Sequence, residues 1–203
     1  MDTFIHAIEF VAVLAGGLYG VLLARSKGMD LVGVFSVAFI LAFGGGTTRD
    51  LLLDRHPLFW IKHEEFAISV FAIAVVSSFI RKLPAWLGRS LCIPDALGLG
   101  LFSILGTSFA LEAGTSWFIA SLLGVVTGTF GGVMGEVICN EVPSLFTSAP
   151  LYATCAFTGC WVYLGLTLIP ALPEEAPLII SAGVIVLFRL IAVRWKLRLP
   201  RHA

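Results

Sequence analysis

Apolar residues fall into seven blocks of membrane-spanning length, separated by short segments that carry most of the charge. A bilayer hydrocarbon core takes roughly 20 apolar residues in a helix. The blocks lie at about residues 4–24, 31–53, 64–81, 94–112, 115–138, 149–170 and 176–195, and each predicts a spanning helix. Pro84, Pro94, Pro143, Pro150, Pro170, Pro173 and Pro177 sit at or near block ends, where proline is tolerated. The strict polar–apolar alternation of a membrane barrel strand is absent. The pattern predicts an all-α integral membrane protein with seven transmembrane helices.

Composition agrees. The 203 residues are 58% hydrophobic and 13% charged, with a mean hydropathy of +0.98, against a charged fraction of about 25% in a soluble domain. Formal net charge is zero, which gives no electrostatic case for nucleic acid. Cys92, Cys139, Cys155 and Cys160 have neither zinc-site nor disulfide-framework spacing and read as packing residues. The start, "MDTFIHAIEF", lacks the basic region of a cleaved signal peptide. No nucleophile–base pair, phosphate loop or metal motif is present, so neither an enzyme nor a cofactor is expected. His6, His56 and His63 lack ligand spacing and read as solvated. Trp60, Trp86, Trp117, Trp161 and Trp195 sit near block ends, as an aromatic belt would.

Basic residues set the orientation. Arg25 and Lys27 follow the first span, Arg81, Lys82 and Arg89 the third, and Arg194, Lys196, Arg198 and Arg201 the seventh. With seven spans these share one side. The other side has Arg55 and Lys62 among several acids. The positive-inside rule then places the N-terminus outside and the C-terminus in the cytoplasm of a prokaryotic inner membrane. The basic tail "RWKLRLPRH" anchors the last span.

The second block carries an interruption, "LAFGGGTTRDLLLDRHPLFW" (41–60), and an offset of 86 residues finds its counterpart. Gly45 and Gly46 meet Gly131 and Gly132, Asp50 meets Glu136, Asp54 meets Asn140, and Pro57 meets Pro143. In the same register Gly20 meets Gly106, Gly28 meets Gly114, and Pro84 meets Pro170. The expected division is residues 1–88 and 89–173 as two three-helix repeats and 174–203 as the seventh helix with its tail. Three spans per copy invert the second copy, an arrangement found in transporters and channels.

The glycines of the two middle spans have two readings. Gly44, Gly45, Gly46, Gly128, Gly131, Gly132 and Gly135 either kink their helices and line a pore with freed carbonyls, which is the preferred expectation, or allow close helix packing. The packing reading is preferred for Gly16, Gly17, Gly20, Gly98, Gly100 and Gly106. Thr47, Asp50 and Asp54 are spaced to share one helix face, as are Gly132, Glu136 and Asn140. Thr48 and Arg49 flank the first set. Neighbouring side chains on a helix diverge by about 100°, so Arg49 is expected to turn from Asp50 and reach Glu136 or the helix neighbours of Asp50.

At these residues the chain resembles the prokaryotic trimeric intracellular cation (TRIC) channels, whose repeat is also named a glycine transporter domain. "GGGTTRDLLLDRHPLFW" carries the resemblance, and "GGVMGEVICNEVP" is its looser second copy. The resemblance covers about residues 4–195. It implies a homotrimer with a potassium pore inside each protomer, lined by the kinked second and fifth spans. Potassium would pass near Gly44, Gly45, Gly131 and Gly132, with Asp50 and Glu136 facing the pore. Animal members carry a lysine–glutamate–valine motif where this chain has Gly135-Glu136-Val137, so the role of that lysine does not transfer. Three readings stay open: a monovalent cation channel, a carrier of a small zwitterion such as glycine, and a trimeric scaffold held by Arg49, Asp50 and Glu136.

Overall fold

The computed structural model describes residues 2–80, 91–147 and 149–199. Among them are eight α-helices: α1 (Asp2–Ser26), α2 (Leu31–Leu52), α3 (Phe59–Lys62), α4 (Glu64–Phe79), α5 (Cys92–Glu112), α6 (Trp117–Ile138), α7 (Ala153–Leu166) and α8 (Ala176–Trp195). A 3-10 turn, Ser144–Phe146, lies between α6 and α7. Apart from the single turn α3, the helices correspond to the seven spans, and the protein is an all-α, multi-pass membrane protein.

α1, α2, α5, α6 and α8 are long and apolar enough to cross a bilayer. α4 and α7 are shorter, at 16 and 14 residues, or about 24 and 21 Å at 1.5 Å per residue. The sixth span therefore falls short of the expected 149–170. The residue before a proline disfavours helix, and the Pro150 and Leu151 carbonyls bond the Arg189 guanidinium. The third span ends at Phe79, where the Arg25 guanidinium takes the carbonyls of Ser77 and Ile80. Arg81, Lys82, Pro84, Trp86, Arg89 and Arg201 lie outside the described residues.

The duplication is visible in the backbone. α2 and α6 each have 22 residues and begin and end 86 positions apart. Their N-caps correspond too: the Asp30 carboxylate accepts from the Gly33 N–H at 2.8 Å, and the Ser116 hydroxyl from the Ile119 N–H at 3.4 Å. Such caps satisfy N–H groups that a helix start leaves free. Left-handed residues follow the same register. Gly28 (φ +72°) and Gly114 (φ +78°) turn the chain after α1 and α5, and Asp54 (φ +51°) and Asn140 (φ +57°) after α2 and α6. Glycine carries no Cβ penalty there.

α2 and α6 cross antiparallel at the centre: Gly45 lies on Thr127 while Gly131 lies on Leu41. α1 packs on α2 as α5 packs on α6; α4 covers α1 and α2 as α7 covers α5 and α6. α8 stands outside this symmetry, against α5 and α7. Each repeat has its own core. The first is aromatic, with Phe43, Phe59 and Phe66 buried; the second joins Leu99 and Leu105 to Leu178 and Ile185 of α8. Cys155 and Cys160 are buried free thiols. Lys27 and Glu141 pair between the loops after α1 and α6, and that hydrogen bond holds the Lys27 ammonium above its usual range.

Candidate functional site

The site is a glycine-lined seam between α2 and α6 with a charged cluster at each end. Both helices run unbroken through their glycines. The expected break, with free carbonyls facing a cavity, is therefore not formed, because tertiary packing outweighs a propensity cost of about 1 kcal/mol per glycine. What the glycines give is proximity. A Cβ on Gly131 would stand 2.7 Å from the Leu41 carbonyl oxygen, and one on Gly45 would strike the Thr127 carbonyl. A Cβ on Gly128 would stand 2.9 Å from the Leu99 carbonyl oxygen, and one on Gly135 2.5 Å from the Leu41 side chain. Gly44 faces Gly131 and Met134, Gly46 accommodates the Phe59 ring, and Gly132 faces the Tyr152 hydroxyl. Beside the seam, a cavity of about 20 Å³ is lined by Tyr19, Gly45, Asp95, Thr127, Gly131 and Tyr152. That is room for about one water.

The first cluster lies at the face bearing the start of α1. Arg49 is 1% exposed. Its Nε donates to Asp50 Oδ1 at 2.8 Å and its Nη2 to Glu9 Oε1 at 3.2 Å. Its Cζ lies 4.4 Å from the Phe109 ring centroid, and Arg55 covers the same ring at 3.8 Å. Nη1 is buried with no hydrogen-bond partner among the described residues. Asp50 also accepts from the Phe59 N–H at 2.9 Å, which fixes the chain after α2. A vestibule of about 820 Å³, lined by Glu9, Arg55, Phe109 and Glu112 among others, opens on this face.

The second cluster lies at the opposite end. Asp95 Oδ2 accepts from Arg189 Nη2 at 3.1 Å and Nε at 3.3 Å, and its Oδ1 accepts from the Tyr152 hydroxyl at 3.0 Å. Arg189 Nη1 donates to the Pro150 and Leu151 carbonyls, and its Cζ lies 4.5 Å from the Tyr152 ring centroid. Glu136 accepts from the Ser144 N–H at 2.7 Å, as Asp50 does from Phe59. A small cavity joins Glu136, Asp95, Tyr19, Tyr152 and Arg189.

Arg49 thus pairs with Asp50 and Glu9 rather than Glu136. Asp50 and Glu136 lie about five residues beyond the α2–α6 crossing in opposite directions, on the order of 15 Å apart along the axes. Asp54 and Asn140 do not share the expected helix faces, because α2 ends at Leu52 and α6 at Ile138; both are exposed turn residues. Thr47 accepts from Trp60 Nε1 at 3.0 Å, and Thr48 donates to the Gly44 carbonyl at 2.8 Å. His6 and His63, expected to be solvated, meet beside Glu65. Sequence reasoning missed Glu9, Asp95 and Arg189. The 86-residue offset pairs Glu9 with Asp95 and Arg49 with Gly135, so the second repeat lacks its arginine and α8 supplies one.

Comparison with known proteins gives four findings. The family model described as "Glycine transporter" matches residues 6–82 and again 92–167. The UPF0126 inner membrane protein YadS of Escherichia coli K12 is 32% identical over 203 residues, covering 98% of this chain and 96% of that protein. Among solved structures, the TRIC trimeric intracellular cation channel orthologue of Rhodobacter sphaeroides has a TM-score of 0.88 at 31% identity, covering 96% of this chain and all of that one. A prokaryotic TRIC channel crystallised in 0.5 M KCl has a TM-score of 0.89 at 27% identity, covering 98% of this chain and all of that one.

Proposed function

Because the chain belongs to the prokaryotic TRIC channel family, which is built on the duplicated glycine transporter domain, we propose that it conducts monovalent cations along the α2–α6 seam of each protomer. The carrying observation is the pair of charged clusters. Each sets two carboxylates against one arginine: Glu9 and Asp50 with Arg49 at one end, Asp95 and Glu136 beside Arg189 at the other. Counting Arg55 beside Arg49, charge balances at the first cluster and is acidic at the second; the carboxylates at each mouth attract cations, and the surplus at the second repels anions. The middle admits about one water as it stands, so α2 and α6 part to pass an ion, which crosses a narrow opening with part of its hydration removed. Potassium, more weakly hydrated than sodium, is then favoured. The assembly is a homotrimer in a prokaryotic inner membrane, like the Rhodobacter protein named trimeric and the Escherichia coli protein named inner membrane. The start of α1 faces outward, and the basic tail lies in the cytoplasm.

A small-zwitterion carrier is the second reading, and one observation favours it. The unpartnered Arg49 Nη1 is a buried donor that could hold a carboxylate. Against it, the guanidinium already meets two carboxylates. Potassium and glycine flux into proteoliposomes separates the readings. The channel predicts potassium flux that glycine does not alter, reduced about tenfold in Glu9→Gln and Asp95→Asn. Saturable glycine uptake without potassium flux supports the carrier. No flux of either kind leaves the clusters as internal glue.

A further inference from the structure

We propose that His6, His63 and Glu65 form a site for a divalent cation of the zinc class at the rim of the amino-terminal vestibule. His6 stands on α1, His63 joins α3 to α4, and Glu65 lies in the first turn of α4. Only the fold unites all three. His6 Nε2 and His63 Nδ1 each lie 3.3 Å from Glu65 Oε1, and the three ligand atoms lie within 4.8 Å of one another. Tetrahedral zinc with bonds of about 2.0–2.1 Å separates its ligand atoms by about 3.3–3.4 Å. Two of the three separations already match that edge.

The surroundings fit a bound ion. Phe66 stacks on the His6 ring at 5.0 Å and lies 5.5 Å from the His63 ring, so an apolar wall orients both imidazoles. Three protein ligands leave a fourth position open to solvent, as in accessible zinc sites. Two imidazoles and one carboxylate select zinc, cobalt, nickel or copper over calcium or magnesium, which need more oxygen ligands. Among the other charges on the vestibule wall, Lys62 and Arg55 oppose a dication while Glu9 and Glu112 favour it. A bound ion would tie α1 to α4 one helical turn from Glu9.

The test is titration of purified, metal-stripped full-length protein with Co²⁺, read by its visible absorption and by calorimetry. The expected result is saturation at one Co²⁺ per chain with the spectrum of a four-coordinate site, displaced by Zn²⁺ but not by about a hundredfold excess of Ca²⁺ or Mg²⁺. His6→Ala, His63→Ala and Glu65→Gln should each weaken binding about tenfold or more, while His56→Ala leaves it unchanged. Unsaturable binding, unchanged affinity in the His6 and His63 variants, or displacement by equimolar Ca²⁺ would overturn the proposal. If His63→Ala disturbs the start of α4, His63→Gln and the wild-type competition with Ca²⁺ decide it. The readout is metal binding, so it stands apart from any result on ion flux.

Discussion

Arg189 is the residue on which the second repeat leans most. It holds Asp95 by two nitrogens and two backbone carbonyls by a third. Removing one partner of a buried ion pair strands the other and typically costs about 3–5 kcal/mol. Arg189→Met should therefore lower unfolding stability by about that amount, measured by thermal or chemical unfolding in detergent. Arg189→Lys should recover only part, because an ammonium cannot reproduce the planar fork. Legibility at this scale was partial. Arg49, Asp50 and Glu136 were identifiable because charge inside an apolar block is costly and so demands a reason. Their partners were not. The 100° rule fixes where Cα–Cβ bonds point, but the long arginine stem curls Nε back onto its neighbour's carboxylate. Glu9 and Asp95 were within reach of the 86-residue offset; Arg189 was not, because α8 has no counterpart in the repeat.

Among the helices, small residues decide what can touch. Gly131→Ala would push a Cβ into the Leu41 backbone, which cannot retreat as a flexible side chain could. Overpacking of this kind costs about 1–3 kcal/mol. Gly183 lies within α8 with nothing among the described residues in the path of a Cβ, so Gly183→Ala should gain up to about 1 kcal/mol from helix propensity. Melting temperatures should fall for the first variant and rise for the second. Apolar block length and the Gly and Pro register gave the helices and the offset, since those signals are local. Whether a glycine run breaks a helix depends on the partner it meets. Gly45 and Gly131 meet backbone, Gly44 meets Gly131 and the Met134 side chain, Gly46 the Phe59 ring and Gly132 the Tyr152 hydroxyl, so both helices stay whole. The end of α2 was legible to within a residue, but the place of Asp54 beyond it was not, because Asp54 turns left-handed without being a glycine.

Across the whole molecule, inversion repeats one design on both faces: a charged cluster, a tight seam, a second charged cluster. The seam as it stands is too narrow for a hydrated ion, so the proposed route requires α2 and α6 to part. Contacts through backbone and glycine, with few interlocking side chains, allow that separation without rebuilding a core. The seven-helix inverted architecture was legible because hydropathy, loop charge and duplication agree. Channel or carrier is not legible in that way, since both use this scaffold and differ in whether the two mouths open together. Single-channel recording of the purified protein in a planar bilayer under a potassium gradient addresses this directly. Discrete currents should reverse near the potassium equilibrium potential, ignore added glycine, and shrink in Glu9→Gln and Asp95→Asn. A silent bilayer from protein that takes up glycine saturably in matched proteoliposomes would contradict the channel.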